Sequence, residues 1–291
     1  MDLFQYDFML RALVGALIIG LAAPALGIYL VQRRLALIGD GIGHVALTGV
    51  GAGLLLNRSP VLVAVLAATL GAVTIELVRS RGRTSGDLAL ALLFYGGIAG
   101  GVMLVGLSDA SNASLNAYLF GSLTTTSPAD LVTIGVLGVA ILVLMLVLRP
   151  ALFAVCHDEE YARVSGLPVR ALNMLLAVTT AVTVTIAMRA VGVLLISALM
   201  VVPVATAQQV TRGFRSTMAA AMTLGLFAAG GGVVVAANAN TAPGASVVLL
   251  AIASFLVVAL AAAGWRALRR RLAPHPAVPV TEPHEHEVVL R

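Results

Sequence analysis

Asp40 and His44 stand four residues apart inside residues 33–56, RRLALIGDGIGHVALTGVGAGLLL, a stretch otherwise built largely from apolar residues and glycine. On a helix, positions i and i+4 share a face about 6 Å apart, so a carboxylate and an imidazole at this spacing can reach one ion between them. Burying an ionisable side chain in hydrocarbon costs at least about 2.5–3.5 kcal/mol, so such residues face a polar path or a partner. The competing reading of the pair is a mutually satisfied structural contact. One carboxylate and one neutral imidazole supply two ligands where zinc commonly takes about four, so waters, a neighbouring helix or a symmetry-related chain must complete the shell. Incomplete coordination suits an ion that has to leave again.

The elements that position this pair are membrane spans. The chain has 291 residues, 60% of them hydrophobic and 11% charged, and its mean hydropathy is +1.03. A water-soluble domain of that length has no polar surface with which to cover so much apolar material. The apolar runs are about twenty residues long, enough for a helix to cross a ~30 Å core, and they lack the alternation of a barrel. The expected fold class is therefore all-α, a polytopic transmembrane bundle of about 8–9 spans. The spans fall near 8–31, 35–56, 61–78, 88–107, 131–148, 171–188, 190–208, 217–237 and 245–264.

Arginine clusters at Arg33/Arg34, Arg79/Arg81/Arg83, Arg149, Arg212/Arg215 and Arg269–Arg271 alternate along these spans and mark the cytoplasmic side. The N-terminus is then outside, on an uncleaved first helix, and the C-terminus is cytoplasmic. Pro24 and Pro203 are expected to bend their helices, and Arg189 to mark an external turn. Trp265 reads as an interfacial anchor, and residues 115–130 as a short external or re-entrant helix. Gly39/Gly43 and Gly49/Gly53 are pairs at i,i+4 that let neighbouring helices approach closely. Residues 1–271 form the membrane domain. Residues 272–291, polar and broken by proline, form a disordered cytoplasmic tail in which His284, Glu285 and His286 are solvated rather than preorganised as ligands.

Several functions are excluded by what the chain lacks. All 18 basic residues are arginine, so the lysine of a phosphate-binding loop is missing and any nucleotide is hydrolysed by another chain. The pI near 10.1 comes from topology-setting arginines at the ends of apolar runs, which argues against nucleic acid. Cys156 is alone, so an intramolecular disulfide cannot form. No nucleophile and base stand together as in a hydrolase, so the chain is not expected to be an enzyme.

The polar interruption at 151–170 carries a helix signature. Asp158 is placed as an N-cap, Glu159 and Glu160 in the first turn, Gly166 as the C-terminal cap, and Pro168 blocks continuation. This is either an ordinary surface helix between spans or a docking element. His157 reads as solvated or capping, and Glu76 as the partner of Arg79 or Arg81.

The combination VQRRLALIGDGIGHVALTGVGAGLLL, AYLFGSL, HDEEYARVSGLPVRALN and RAVGVLLISALMVVPVATA resembles the membrane permeases of the zinc and manganese ABC importers, the metal-ion ABC-3 family. The basic pair followed by G-D-x-x-x-H is its most specific piece, and the likeness runs from Leu3 to about Arg271. The resemblance implies a homodimeric permease, more distantly similar to the cobalamin and siderophore permeases. It also implies cytoplasmic ABC ATPase subunits that bind the ATP, an external metal-binding solute-binding protein, and no cofactor held by this chain. By position, Asp40 and His44 match the metal pathway, and Asp158, Glu159, Ala162 and Gly166 match the segment that couples to the ATPase. The cargo expected is zinc, then manganese, with iron allowed. A stand-alone secondary transporter or channel, with Asp40 and His44 as an ion or proton relay, is the alternative.

Overall fold

Apolar runs punctuated by glycine, proline, asparagine and arginine fold as helices and, among the described residues, no strand is formed. The computed structural model describes residues 7–80, 86–108, 112–122 and 127–272. Expectations placed on Arg81, Arg83, residues 109–111 and 123–126, and the tail with His284, Glu285 and His286 lie outside them. The helices are α1 (Asp7–Gln32), α2 (Ile38–Leu55), α3 (Pro60–Ser80), α4 (Gly86–Gly106), α5 (Asn112–Phe120), α6 (Pro128–Val147), α7 (Arg149–His157), α8 (Glu159–Val164), α9 (Val169–Val191), α10 (Val193–Gln208), α11 (Phe214–Ala239) and α12 (Pro243–Leu272).

Eight of them, α1–α4, α6, α9, α11 and α12, are long and apolar enough to cross a membrane. The ninth expected span is cut short. α10 has 16 residues, a rise of about 24 Å against the ~30 Å core. The cause is local: α9 runs through Arg189 to Val191, and the helix breaks at Gly192, whose φ of 92° and ψ of 147° belong to glycine. A Cβ at that position would strike the backbone of Leu119 and Phe120 at the end of α5. Arg189 therefore lies within a helix, not at a turn.

Other boundaries move for equally specific reasons. α6 begins at Pro128 because the Ser127 hydroxyl accepts from the Asp130 amide while the Asp130 carboxylate accepts from the Ser127 amide, with proline in the first turn. α2 begins at Ile38 rather than Leu35, after a tight connection in which Arg34 has a φ of 58°. Between α6 and α9 the chain holds two short helices, α7 and α8, rather than one. α12 continues past Trp265. Asn57 and Asn240, both left-handed, close α2 and α11, as short polar side chains allow.

α1 and α9 form the centre, with most of their residues buried, while α4 and α12 lie at the periphery with few. α2 is wedged between α3, α4, α9 and α10. Its paired glycines make that possible: an added Cβ on Gly49 or Gly53 would lie 2.5 and 2.7 Å from Ala64 Cα and Pro60 Cα of α3, and Gly39 and Gly43 press on Ser197 and Val193 of α10. At the arginine-rich end, Tyr29 of α1 donates to the Met145 carbonyl of α6 at 2.9 Å, and the Tyr29, Phe153 and Phe214 rings join α1, α7 and α11.

Candidate metal pathway and coupling segment

Because α2 starts at Ile38, Asp40 is its third residue, about 3 Å of rise inside the helix, and His44 is about 9 Å inside. Both are shallower than a helix starting at Leu35 implied. The Asp40 carboxylate sits in the first turn, where the unsatisfied amides and the helix dipole favour negative charge. Ser197 of α10 donates its hydroxyl hydrogen to Asp40 Oδ1. Asp40 lines a cavity of about 380 Å³ with Leu37, Leu90, Ala91, Phe94 and Tyr95. A second cavity, of about 390 Å³, shares Leu37 and Leu90 with the first and reaches Arg34 and Arg79 at the arginine-rich end.

His44 is on the same helix but outside that cavity. It is 8% exposed, and the Phe94 ring meets it edge-on with centroids 4.5 Å apart. α4 is locked onto this turn: a Cβ on Gly97 would lie 2.6 Å from the His44 carbonyl carbon, and Thr48 donates to the Gly97 carbonyl at 2.8 Å. His44 Nδ1 is buried without a hydrogen-bond partner among the described residues. An unpartnered buried nitrogen is uncommon and leaves a lone pair or a proton uncommitted. The i,i+4 spacing thus places an accessible carboxylate and a shielded imidazole on one helix, with Phe94 lining the cavity beside the first and meeting the second edge-on. No group of three or more His, Cys, Asp or Glu able to hold a metal occurs among the described residues, so a single chain offers a carboxylate, an imidazole and the Ser197 hydroxyl. Ser197 and Phe94 were not singled out by sequence. A lone serine in the apolar run VLLISALM was the available signal for the first; for Phe94 there was none.

At the arginine-rich end, Asp158 caps α8, its Oδ1 accepting from the Tyr161 amide at 2.9 Å, and Gly166 with a φ of 81° closes the turn after it. Of the expected coupling residues, Asp158 and Gly166 are exposed and Glu159 half-buried, but Ala162 turns inward. Ala162 is 0% exposed and packs into the protein core, whereas Tyr161 and Val164, the latter 89% exposed, point away from it. Glu159 pairs inward with Arg33 at 3.4 Å and outward with Arg163 at 3.7 Å. Glu76 is bound by Arg79 through two contacts of 2.9 and 3.0 Å, the expected partner. His157 stacks on Phe153, with centroids 5.6 Å apart. Burial, then the nearby Arg79 charge, pull the Arg33 pKa below its ordinary value, while Cys156, Glu76 and Glu159 act the other way. Burial pushes the Cys156 thiol up to about 11.

Known proteins share this architecture over nearly its whole length. The manganese import system permease protein ScaB of Streptococcus parasanguinis is 31% identical over 93% of this chain and 96% of its own. The high-affinity zinc uptake system membrane protein ZnuB of Haemophilus influenzae is 29% identical over 84% of this chain and 94% of its own. Among solved structures, PsaBC from Streptococcus pneumoniae in complex with Fab superposes with a TM-score of 0.82 at 29% identity, covering 92% of this chain and 97% of that one. Residues 5–262 match the ABC 3 transport family. With its eight membrane-length helices and a match over most of its length, the chain belongs to that family.

Proposed function

We propose that this chain is the membrane permease of an ATP-binding-cassette importer for a divalent transition metal, zinc first and manganese next, with iron allowed. The observation that carries the reading is the Asp40–His44 pair: a carboxylate open to a cavity and, one turn further in, an imidazole whose Nδ1 is unspent. Asp40, His44 and the Ser197 hydroxyl are the ligands one chain contributes, and a second copy in a homodimer supplies the rest of the shell. An ion held by so few protein groups is captured and released rather than stored. The names of the zinc and manganese relatives support a metal cargo without choosing between the two.

ATP is hydrolysed on cytoplasmic subunits, since this chain has no phosphate-loop lysine, and α8 with its flanks, Asp158–Gly166, is the element that docks on them. An external solute-binding protein delivers the ion. The arginine-rich end faces the cytoplasm, with the N-terminus outside and the C-terminus inside. The test is uptake of zinc and manganese by the complex with its ATPase in proteoliposomes. His44→Ala and Asp40→Asn should each abolish uptake while the ATPase still copurifies. Uptake at the parental rate by both variants would remove the pair from the pathway.

A further inference from the structure

Arg33 is the first residue after α1, and its side chain is only 7% exposed. Its Nη1 donates to Asn173 Oδ1 of α9 at 2.7 Å and its Nη2 to Glu159 Oε2 of α8 at 3.4 Å. Asn173 Nδ2 donates in turn to Glu159 Oε1 at 3.3 Å, which closes a ring of three side chains drawn from three separate stretches of chain. A guanidinium stays charged even when buried, so separating it from its partners would leave an uncompensated charge, and the ring resists opening.

On its other side the same arginine is fastened to α2. The connection from Arg33 to Leu37 is a stiff, hydrogen-bonded turn: the amides of Arg33, Arg34 and Leu35 donate to the carbonyls of Tyr29, Val31 and Leu30, and Ile38 donates to the Leu35 carbonyl. Asp40 follows two residues after Ile38. Glu159 is the first residue of α8, and its Oε1 also lies 3.7 Å from the exposed Arg163, an alternative partner on the outward side.

We infer that Arg33 is the positioning residue that ties movement of α8 to the start of α2, so that force arriving at α8 is delivered to the Asp40 carboxylate. A rigid turn between Arg33 and Asp40 and a paired guanidinium between Arg33 and Glu159 leave no slack on either side. Shifting α8 either drags the α1–α2 connection with it or transfers Glu159 to Arg163 and frees α2. This inference rests on the assignment of α8 to the ATPase and of Asp40 to the metal.

The experiment reads metal transported per ATP hydrolysed, with zinc and manganese, in proteoliposomes holding the complete complex. Arg33→Gln should copurify with the ATPase and bind metal within about twofold of the parent, yet transport at least about tenfold less metal per ATP. Arg33→Lys, which keeps the charge but loses the fork, should fall between them. Glu159→Gln should match Arg33→Gln, and the double variant should be no worse than either alone, because one link is broken only once. Parental transport per ATP in Arg33→Gln overturns the inference. If that variant misfolds, parental coupling in both Arg33→Lys and Glu159→Gln overturns it equally. Additive losses in the double variant also overturn it. A parental complex that moves none of zinc, manganese and ferrous iron defeats the functional reading itself, and an ATPase that stays bound when the outward face of α8 is altered defeats the docking assignment alone.

Discussion

Ser197 of α10 and Asp40 of α2, 157 positions apart in sequence, are joined by a hydrogen bond from the serine hydroxyl to the carboxylate. Gly39, beside Asp40, has its would-be Cβ 3.3 Å from Ser197 Cβ, so the contact depends on two helices meeting where one of them has no side chain. Hydrogen bonds to charged groups are worth about 1.5–3 kcal/mol, or roughly 10- to 100-fold in an equilibrium. Ser197→Ala should therefore weaken zinc or manganese binding to the purified protein by about tenfold without abolishing it, and Ser197→Thr should restore most of the loss. Calorimetric titration that finds Ser197→Ala at parental affinity would show that the hydroxyl neither orients the carboxylate nor contributes to the shell.

Gly96 and Gly97 give a matched pair of tests on α4. A Cβ on Gly97 would sit 2.6 Å from the His44 carbonyl carbon and 2.7 Å from the Val45 amide nitrogen, both backbone, whereas a Cβ on Gly96 meets nothing within 4 Å. Gly96→Ala should leave uptake intact and stabilise the helix by up to about 1 kcal/mol. Gly97→Ala should push α4 away from His44, costing about 1–3 kcal/mol as overpacking does, and lower uptake. Equal melting temperatures and equal uptake for the two variants would mean that α4 does not seal His44.

The difference between those neighbours shows what the sequence could and could not disclose. Two ionisable residues in an apolar stretch advertise Asp40 and His44 from sequence, because burial makes them costly. Capping chemistry likewise announces Asp158 and Gly166 at the two ends of α8. The start of α2 is not legible because Leu35–Leu37 are as apolar as the helix they precede, and nothing in their side chains records the left-handed Arg34 before them. Sequence points to Arg189 rather than Gly192 because charge usually marks a helix end, whereas here a backbone angle open to glycine does it. Arg33–Asn173–Glu159 is hidden for a third reason: its members are 14 to 140 residues apart, and only the packing of α1 and α8 on α9 brings them together.

Cys156 offers a pH test of the packing around α7. Burial raises its thiol from the ordinary 9.0 to about 11, with Arg33 and Arg79 pulling the other way and Glu159 adding to the rise. The neutral thiol is favoured by folding, so its contribution to stability is complete below pH 9 and is lost as pH climbs through about 11. At pH 8 the thiolate fraction falls about a hundredfold relative to an ordinary cysteine, while the greater nucleophilicity of a more basic thiolate returns about tenfold. Maleimide labelling of the native protein should then run about tenfold slower than labelling in denaturant, and further steric shielding would add to that. Labelling at the denatured rate would show that the thiol is neither buried nor shifted.

The final prediction separates the two faces of α8. Ala162 is packed against the core and Val164 stands in solvent, two residues along a helix that Asp158 caps. Ala162→Leu adds volume where there is none, so it should destabilise the permease itself by about 1–3 kcal/mol, seen as a lower melting temperature in detergent without any partner present. Val164→Asp adds a charge to a surface already wet, so it should change that melting temperature little, within about 0.5 kcal/mol. If α8 docks on the ATPase, the outward face carries the contact, and Val164→Asp should lose the ATPase on copurification even though the permease is folded. Ala162→Leu should lose it only to the extent that the permease unfolds. Retention of the ATPase by Val164→Asp, at parental stoichiometry and with parental metal uptake, would move the docking surface away from α8.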